Sequence, residues 1–322
     1  MASILLSGGV DFSVLEPADG VSFQENLLRS MLTVERTFLD LAEASLRQGQ
    51  HVMVVCDRGT MDASAFTSPQ EWSSIKARIG MDEIQLRDER YDCVIHMRTA
   101  AFGAESYYST SNHSCRSETV AQARYQCDRA LTAWTGHPYL SIIDNSTDFE
   151  KKVQRTVAAV MRRCGIRDNA LPGTVRSKWL VELTGDFSVP YRDFQVEHHI
   201  LVAEPGTKTR LRKRGQDGAF VYTLATKQSH GELRRNLSSR EYETLLLQAD
   251  PAHCPIRKLR RCFVWEDQYY HLDYFADPGE CIILMESQQP ADKAPKTPPF
   301  INVKADVTLS QAYTLDALSL IK

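Results

Sequence analysis

No run of apolar residues approaches the ~20 needed to cross a bilayer as a helix. The opening Met1-Ala2-Ser3-Ile4-Leu5-Leu6 carries no basic stretch of the kind that leads a secretory signal. Those two absences set the expectation of a cytoplasmic protein with no transmembrane segment. The eight cysteines are irregularly spaced and contain no C-x-x-C pair, which excludes a zinc-knuckle framework. Without an export signal they are expected to remain reduced thiols. Net charge is only −3, so no global attraction to nucleic acid is expected and any anion site must be a local patch. The P-loop pattern G-x-x-x-x-G-K-[ST] is missing too: Gly8-Gly9 lacks the Lys and the hydroxyl, and no later glycine cluster supplies them. That absence matters chemically, because the loop's backbone N–H groups and its Lys do most of the phosphate cradling.

What is present is an ordinary globular composition, 43% hydrophobic and 25% charged over 322 residues, enough for two domains. Val52-Met53-Val54-Val55-Cys56-Asp57-Arg58-Gly59 reads as a fully buried parallel strand closing in an acid and a glycine turn. An acid there suits the Mg²⁺ shell of a bound nucleoside triphosphate, as in a Walker B element. A turn-forming Asp at a strand end explains it equally well. Before this stretch, Phe23, Leu27, Leu28, Met31, Leu32, Val34, Phe38, Leu41 and Ala42 recur at helical spacing up to Gly49. After it, 91–97 and 139–145 read as further strands, with helices over 117–134 and from about 146 to 164. Arg116, Arg124 and Arg129 fit either a solvated helix face or a lid closing over phosphates.

Asn169, Pro172 and Gly173 mark a linker. Downstream the pattern turns β-rich, with strands expected over 178–183, 195–202, 207–214, 219–227, 256–265, 268–275 and 281–287, and a helix over 239–248. In Lys208-Thr209-Arg210-Leu211-Arg212-Lys213-Arg214 the period of 2 puts four cations on one face of a strand. They mark either a solvated, aggregation-proof edge or the wall of an anion site. Lys227, Lys258 and Arg260, with the acids Glu182, Asp273 and Glu286 on other strands, favour a charged barrel or tunnel.

Thr209–Gly218, "SSREYETLL", "LRRCFVW", "YYHLDYF" and "LMES" resemble a CYTH domain, the triphosphate-tunnel fold. "ILLSGGV", "FQENLL", "CDRGTMDASAF" and "HPYLSIIDNSTDFEKK" are similar to a NadR-like P-loop NTPase module. Together, in this order, they resemble the TRPL translocation defect protein 14 family. The resemblance implies an α/β plus α+β chain. An incomplete doubly wound, NTPase-like parallel sheet over 1–168, lacking the Walker A segment, precedes a CYTH-like antiparallel barrel over 176–322. It implies binding of Mg²⁺ with GTP or ATP, weakened here by the missing loop, and of a phosphoinositide or other phosphate-bearing ligand. Peripheral membrane association and a regulatory role in membrane-protein trafficking follow from the same resemblance. It places Asp57, Asp62, Arg116, Arg124 and Arg129 at the nucleotide, and Arg210, Arg212, Arg214, Lys227, Lys258 and Arg260 at the anion. Asp57, Glu182, Asp273 and Glu286 become the candidate metal ligands.

Two departures accompany it. This chain starts just past the strand and P-loop of its relatives, so a truncated form is expected. Catalytic relatives also open the second domain with E-x-E-x-K, whereas Lys178-Trp179-Leu180-Val181-Glu182-Leu183 offers one acid. Triphosphate hydrolysis needs clustered carboxylates to hold its metal ions. A binding protein is therefore expected, with a nucleoside or nicotinamide-riboside type kinase or a triphosphatase as the alternative.

Overall fold

The computed structural model describes residues 17–108, 118–166, 173–228, 231–276, 282–291 and 295–321. The chain packs as two compact units that interleave along the sequence. One is Met1–Tyr91, Met97–Trp134 and Asp144–Ser146; the other is Asp92–His96, Thr135–Ile143 and Thr147–Lys322.

The first unit is helical. Helix α1 (Pro17–Leu46) carries the expected apolar stripe, but only part of it is covered: Leu28 is fully buried, while Val34, Phe38 and Leu41 are exposed. Helix α2 (Pro69–Ile79) is set by local chemistry. Ser68 and Glu71 form a capping box, Pro69 takes the first turn, and Gly80 closes the helix at φ +70°. Helix α3 (Val120–Trp134) ends in a buried tryptophan. The run Val52–Val55, expected as the central buried strand, is not a strand: it is unladdered, and Val55 is 77% exposed. A strand exists only through pairing, and among the described residues no neighbour pairs with it. The β-branched run marks a preference that nothing here satisfies.

In the second unit, β1 (Val94–Met97) and β2 (Leu140–Ile143) form a two-stranded parallel sheet. Helix α4 (Phe149–Arg163) follows, capped by Asp148, which accepts from the Lys151 N–H. The doubly wound layer is thus reduced to two strands. The larger sheet has nine. They are β3 (Thr174–Leu183), β4 (Tyr191–Leu201), β5 (Lys208–Gln216), β6 (Ala219–Gln228), β7 (Gly231–Leu237), β8 (Ile256–Trp265), β9 (Gln268–Phe275), β10 (Ile283–Pro290) and β11 (Ile301–Asp306). Their order is β11-β3-β10-β9-β8-β4-β5-β6-β7, antiparallel throughout. The expected closed barrel is not seen: among the described residues β11 and β7 are the two ends of the ladder and do not pair.

The sheet's two faces differ sharply. Trp179, Val181, Phe263, Tyr270, Leu272, Met285 and Ile301 alternate onto one face and form its main core with Phe300. Burying a side chain such as Phe263 is worth roughly 1.5–3 kcal/mol. Farther along that face, helix α5 (Ser239–Leu246) lays Tyr242 against Leu201, Leu211 and Leu237. The intervening residues point to the opposite face, where the charges gather. One end of that second face is closed by Ile256, Phe275, Leu284 and Val307, packed with Leu315 and Leu318 of α6 (Leu315–Ser319).

Candidate functional site

The ladder registers put the charges of eight strands on one surface. Arg212 of β5 lies between His198 of β4 and Thr223 of β6. His198 faces Ile256 of β8, and the next pairs along the same face are Val196 with Lys258 and Phe194 with Arg260. Arg260 pairs with Asp273 of β9, His271 with Glu286 of β10, and Glu286 with Lys178 of β3. Beyond β6, Ala225 meets Arg234 of β7, and Lys227 meets Glu232. Cations outnumber acids on this surface.

Asp273, Glu286 and Glu232 are each held by more than one cation. Asp273, 1% exposed, takes Arg260 through two hydrogen bonds of 2.6 and 2.7 Å and Lys258 at 2.7 Å. Burial alone would raise its pKa, yet Arg260 and Lys258 hold it well below the usual carboxylate range. Glu286 takes Arg176 at 2.5 Å and Lys178 at 3.2 Å, with Arg260 at 3.9 Å. Burial works against its charge, but Arg176 and Arg260 bring its pKa to about 2. Burial in turn pulls Lys258 down to about 8, despite Asp273 beside it. Glu232 binds Arg210 at 2.5 Å and Arg234 at 2.7 Å. Lys208 is paired with Asp316.

Arg214 and Arg212 differ from these. Arg214 is buried over the Phe194 ring at 3.7 Å and donates to the Gly136 carbonyl. The Arg212 Nε is shielded from solvent and has no hydrogen-bond partner, and no carboxylate is bonded to this guanidinium among the described residues. The Nδ1 of buried His198 is in the same condition. Lys227, exposed at the rim of the face, makes no side-chain bond among the described residues.

Within the second unit the candidate metal ligands Glu182, Asp273 and Glu286 do not form one group. Glu182 is exposed and paired with Lys304 at 2.6 Å, and Asp57 is exposed in the other unit. Asp273 and Glu286 are saturated with cations, which a metal ion would have to displace. Among the described residues, no three of His, Cys, Asp and Glu are grouped to hold a metal. The acids thus do not fit a divalent cation as arranged, because arginine and lysine already fill that electrostatic role.

In the first unit Asp62, Arg124 and Arg129, three of the expected nucleotide residues, make contacts within the unit. Asp62 accepts from the Trp134 ring N–H at 2.8 Å and from the Gly59 N–H at 3.2 Å, which fastens the Asp57-Arg58-Gly59 turn to α3. Gly59 is demanded by packing: a Cβ there would lie 2.6 Å from Trp134 Cζ2. Arg124 bonds the Ala101 carbonyl and Glu105, both at 2.6 Å, and Arg129 bonds the Thr67 carbonyl at 2.8 Å. These two arginines tie loops to α3. Arg116 lies outside the described residues.

Sequence reasoning missed Arg176, Lys178, His198, Glu232 and Arg234. Glu232 and Arg234 alternate along Gly231–Leu237 and could have been found by the same period of 2. Arg176 was missed because β3 starts four residues before the expected strand.

A protein family described as an AAA domain matches residues 16–152. No curated protein matches. Among solved structures, the inorganic triphosphatase NE1496 is 21% identical, with a TM-score of 0.38 over 47% of this chain and 96% of that one. The PH1819 protein from Pyrococcus horikoshii OT3 is 14% identical, with a TM-score of 0.28 over 37% and 79%. The putative adenylyl cyclase HpAC1 from Hippeastrum, which has a dominant triphosphatase activity, is 11% identical, with a TM-score of 0.26 over 36% and 80%.

Proposed function

We propose that the second unit binds a ligand carrying two or more phosphate groups on the charged face of the nine-stranded sheet, and holds it without hydrolysing it. The ligand class is a nucleoside triphosphate or a phosphoinositide head group. The corresponding role is that of a regulator of membrane-protein trafficking, as the sequence resemblance implies. The observation that carries the reading is Arg212. Its neighbours Arg210, Lys258 and Arg260 are paired with acids, yet this guanidinium has a shielded Nε with no partner and no bonded carboxylate among the described residues. Arg212 is half-buried; an unpaired charge withdrawn even partly from water is costly, and a guanidinium does not shed its proton to escape that cost. A phosphate oxygen supplies both the missing acceptor and the missing charge.

Binding without turnover follows from the acids. Asp273 and Glu286 anchor arginines and lysines here, which leaves no carboxylate pair among the described residues to hold metal ions or activate water. The test is flotation with liposomes containing phosphatidylinositol phosphates, comparing the wild type with Arg210→Ala/Arg212→Ala and competing with tripolyphosphate. Each lost charge-assisted contact should cost roughly 1.5–3 kcal/mol, and binding should weaken as salt rises. Equal flotation of the two proteins, at matched folding, leaves the cations as a solvated surface and overturns the reading.

A further inference from the structure

We propose that one phosphate group of the ligand sits between His198 and Arg212, and that its arrival places a proton on the His198 ring. The inference deepens, and rests on, the polyphosphate reading above. It starts from two adjacent orphans. His198 and Arg212 are direct partners across the β4–β5 ladder, on the charged face. The Nδ1 of one and the Nε of the other are both shielded from solvent and both lack a hydrogen-bond partner. His198 is 6% exposed, so bulk solvent barely reaches the ring. Buried polar atoms are ordinarily satisfied, and two unsatisfied neighbours mark a place where an acceptor belongs.

The surroundings specify that acceptor. Arg210 and Arg212 face the ring from β5, and Lys258 and Arg260 face it from β8. The nearby carboxylates are occupied: Asp273 by Lys258 and Arg260, Glu232 by Arg210 and Arg234. Burial, reinforced by Lys258 and Arg212, holds the His198 pKa well below its ordinary value, so the empty site carries a neutral imidazole. A phosphate dianion reverses the local sign. The ring then takes one proton from solvent and donates an N–H to a phosphate oxygen, while Arg212 donates its Nε–H. The one covalent change is the new ring N–H, whose proton is given up by a solvent or buffer acid. By linkage, affinity rises as pH falls, up to about tenfold per pH unit where a full proton is taken up.

The experiment is calorimetry with tripolyphosphate near pH 7 in buffers of different ionisation heat, on the wild type and His198→Asn. Tripolyphosphate sheds protons of its own on binding, so the quantity read is the difference between the two proteins. The wild type should take up about one proton more than the variant, and the variant should still bind. Equal proton counts in two proteins that both bind would overturn the inference and leave the polyphosphate reading standing. No binding by the wild type from about pH 6 to about pH 8 would remove both. Should the variant fail to fold, ¹⁵N-histidine spectra of the wild type decide instead. One imidazole should change from neutral to protonated when tripolyphosphate is added near pH 7. Saturation with tripolyphosphate without such a change overturns the inference.

Discussion

Replacing Asp273 by Asn separates two accounts of the charged face. In the structure Asp273 is the anchor for two cations, bonded to Lys258 at 2.7 Å and to Arg260 at 2.6 and 2.7 Å, in a position 1% exposed. Asn keeps the shape and part of the hydrogen bonding but removes the charge. Buried Lys258 and part-buried Arg260 then lose their main partner, and Arg260 retains only Glu286 at 3.9 Å. Breaking a buried pair in this way costs about 3–5 kcal/mol, which urea denaturation near pH 7.5 would read as a fall in midpoint at unchanged slope. The same variant should bind tripolyphosphate more tightly, because the face has lost a negative charge and gained two unpaired cations. A metal-ligand role for Asp273 predicts the opposite, a loss of metal-dependent binding. Destabilisation under about 1 kcal/mol would mean the pair is effectively solvated. Together with unchanged tripolyphosphate affinity, it would refute the reasoning.

Acidification should weaken the fold before the carboxylates titrate. His198 and His271 are kept neutral by burial, reinforced by Lys258 and Arg212 at the first and by Arg260 at the second. The unfolded chain binds protons at these rings near pH 6.5 and the folded chain does not. Stability is therefore fully present above about pH 6.5 and falls as pH drops below it; a denaturation midpoint constant from about pH 7.5 to about 5 contradicts this. Gly59→Ala should cost roughly 1–3 kcal/mol, because the new Cβ falls 2.6 Å from Trp134 Cζ2; an unchanged melting temperature and Trp134 fluorescence would show that the turn gives way freely. Val55→Ser, by contrast, should change stability by no more than about 0.5 kcal/mol, since Val55 is 77% exposed; a loss of about 1.5–3 kcal/mol would mean that it is packed as a buried strand.

The elements most legible in the sequence were those fixed by local chemistry. The cap at Ser238, which opens the expected helix over 239–248, and the alternation of Lys208–Arg214 each span only a few residues. What the sequence hid depends on distant partners. Val52–Val55 has the composition of a central strand, but a strand's neighbours are not written in its own residues. β7 and β11 escaped notice because both are largely solvated, so neither carries a clean apolar alternation. The cations of the charged face were visible as a period of 2. Which of them would be neutralised was not, because the acid for Arg210 comes from β7 and that for Arg260 from β9. His198 was invisible for the same reason: its role arises from Arg212 across one ladder and Lys258 near the other.

The central claim is that the charged face of the nine-stranded sheet holds a polyphosphate and leaves it intact. One assay addresses it directly: the full chain incubated with tripolyphosphate and Mg²⁺ or Mn²⁺, with bound ligand and released phosphate measured in the same sample. The account predicts saturable, salt-sensitive binding that raises the melting temperature, with no phosphate released above the protein-free rate. Turnover at about 1 s⁻¹ or faster, within the range of ordinary enzymes, would contradict it, as would the absence of any binding.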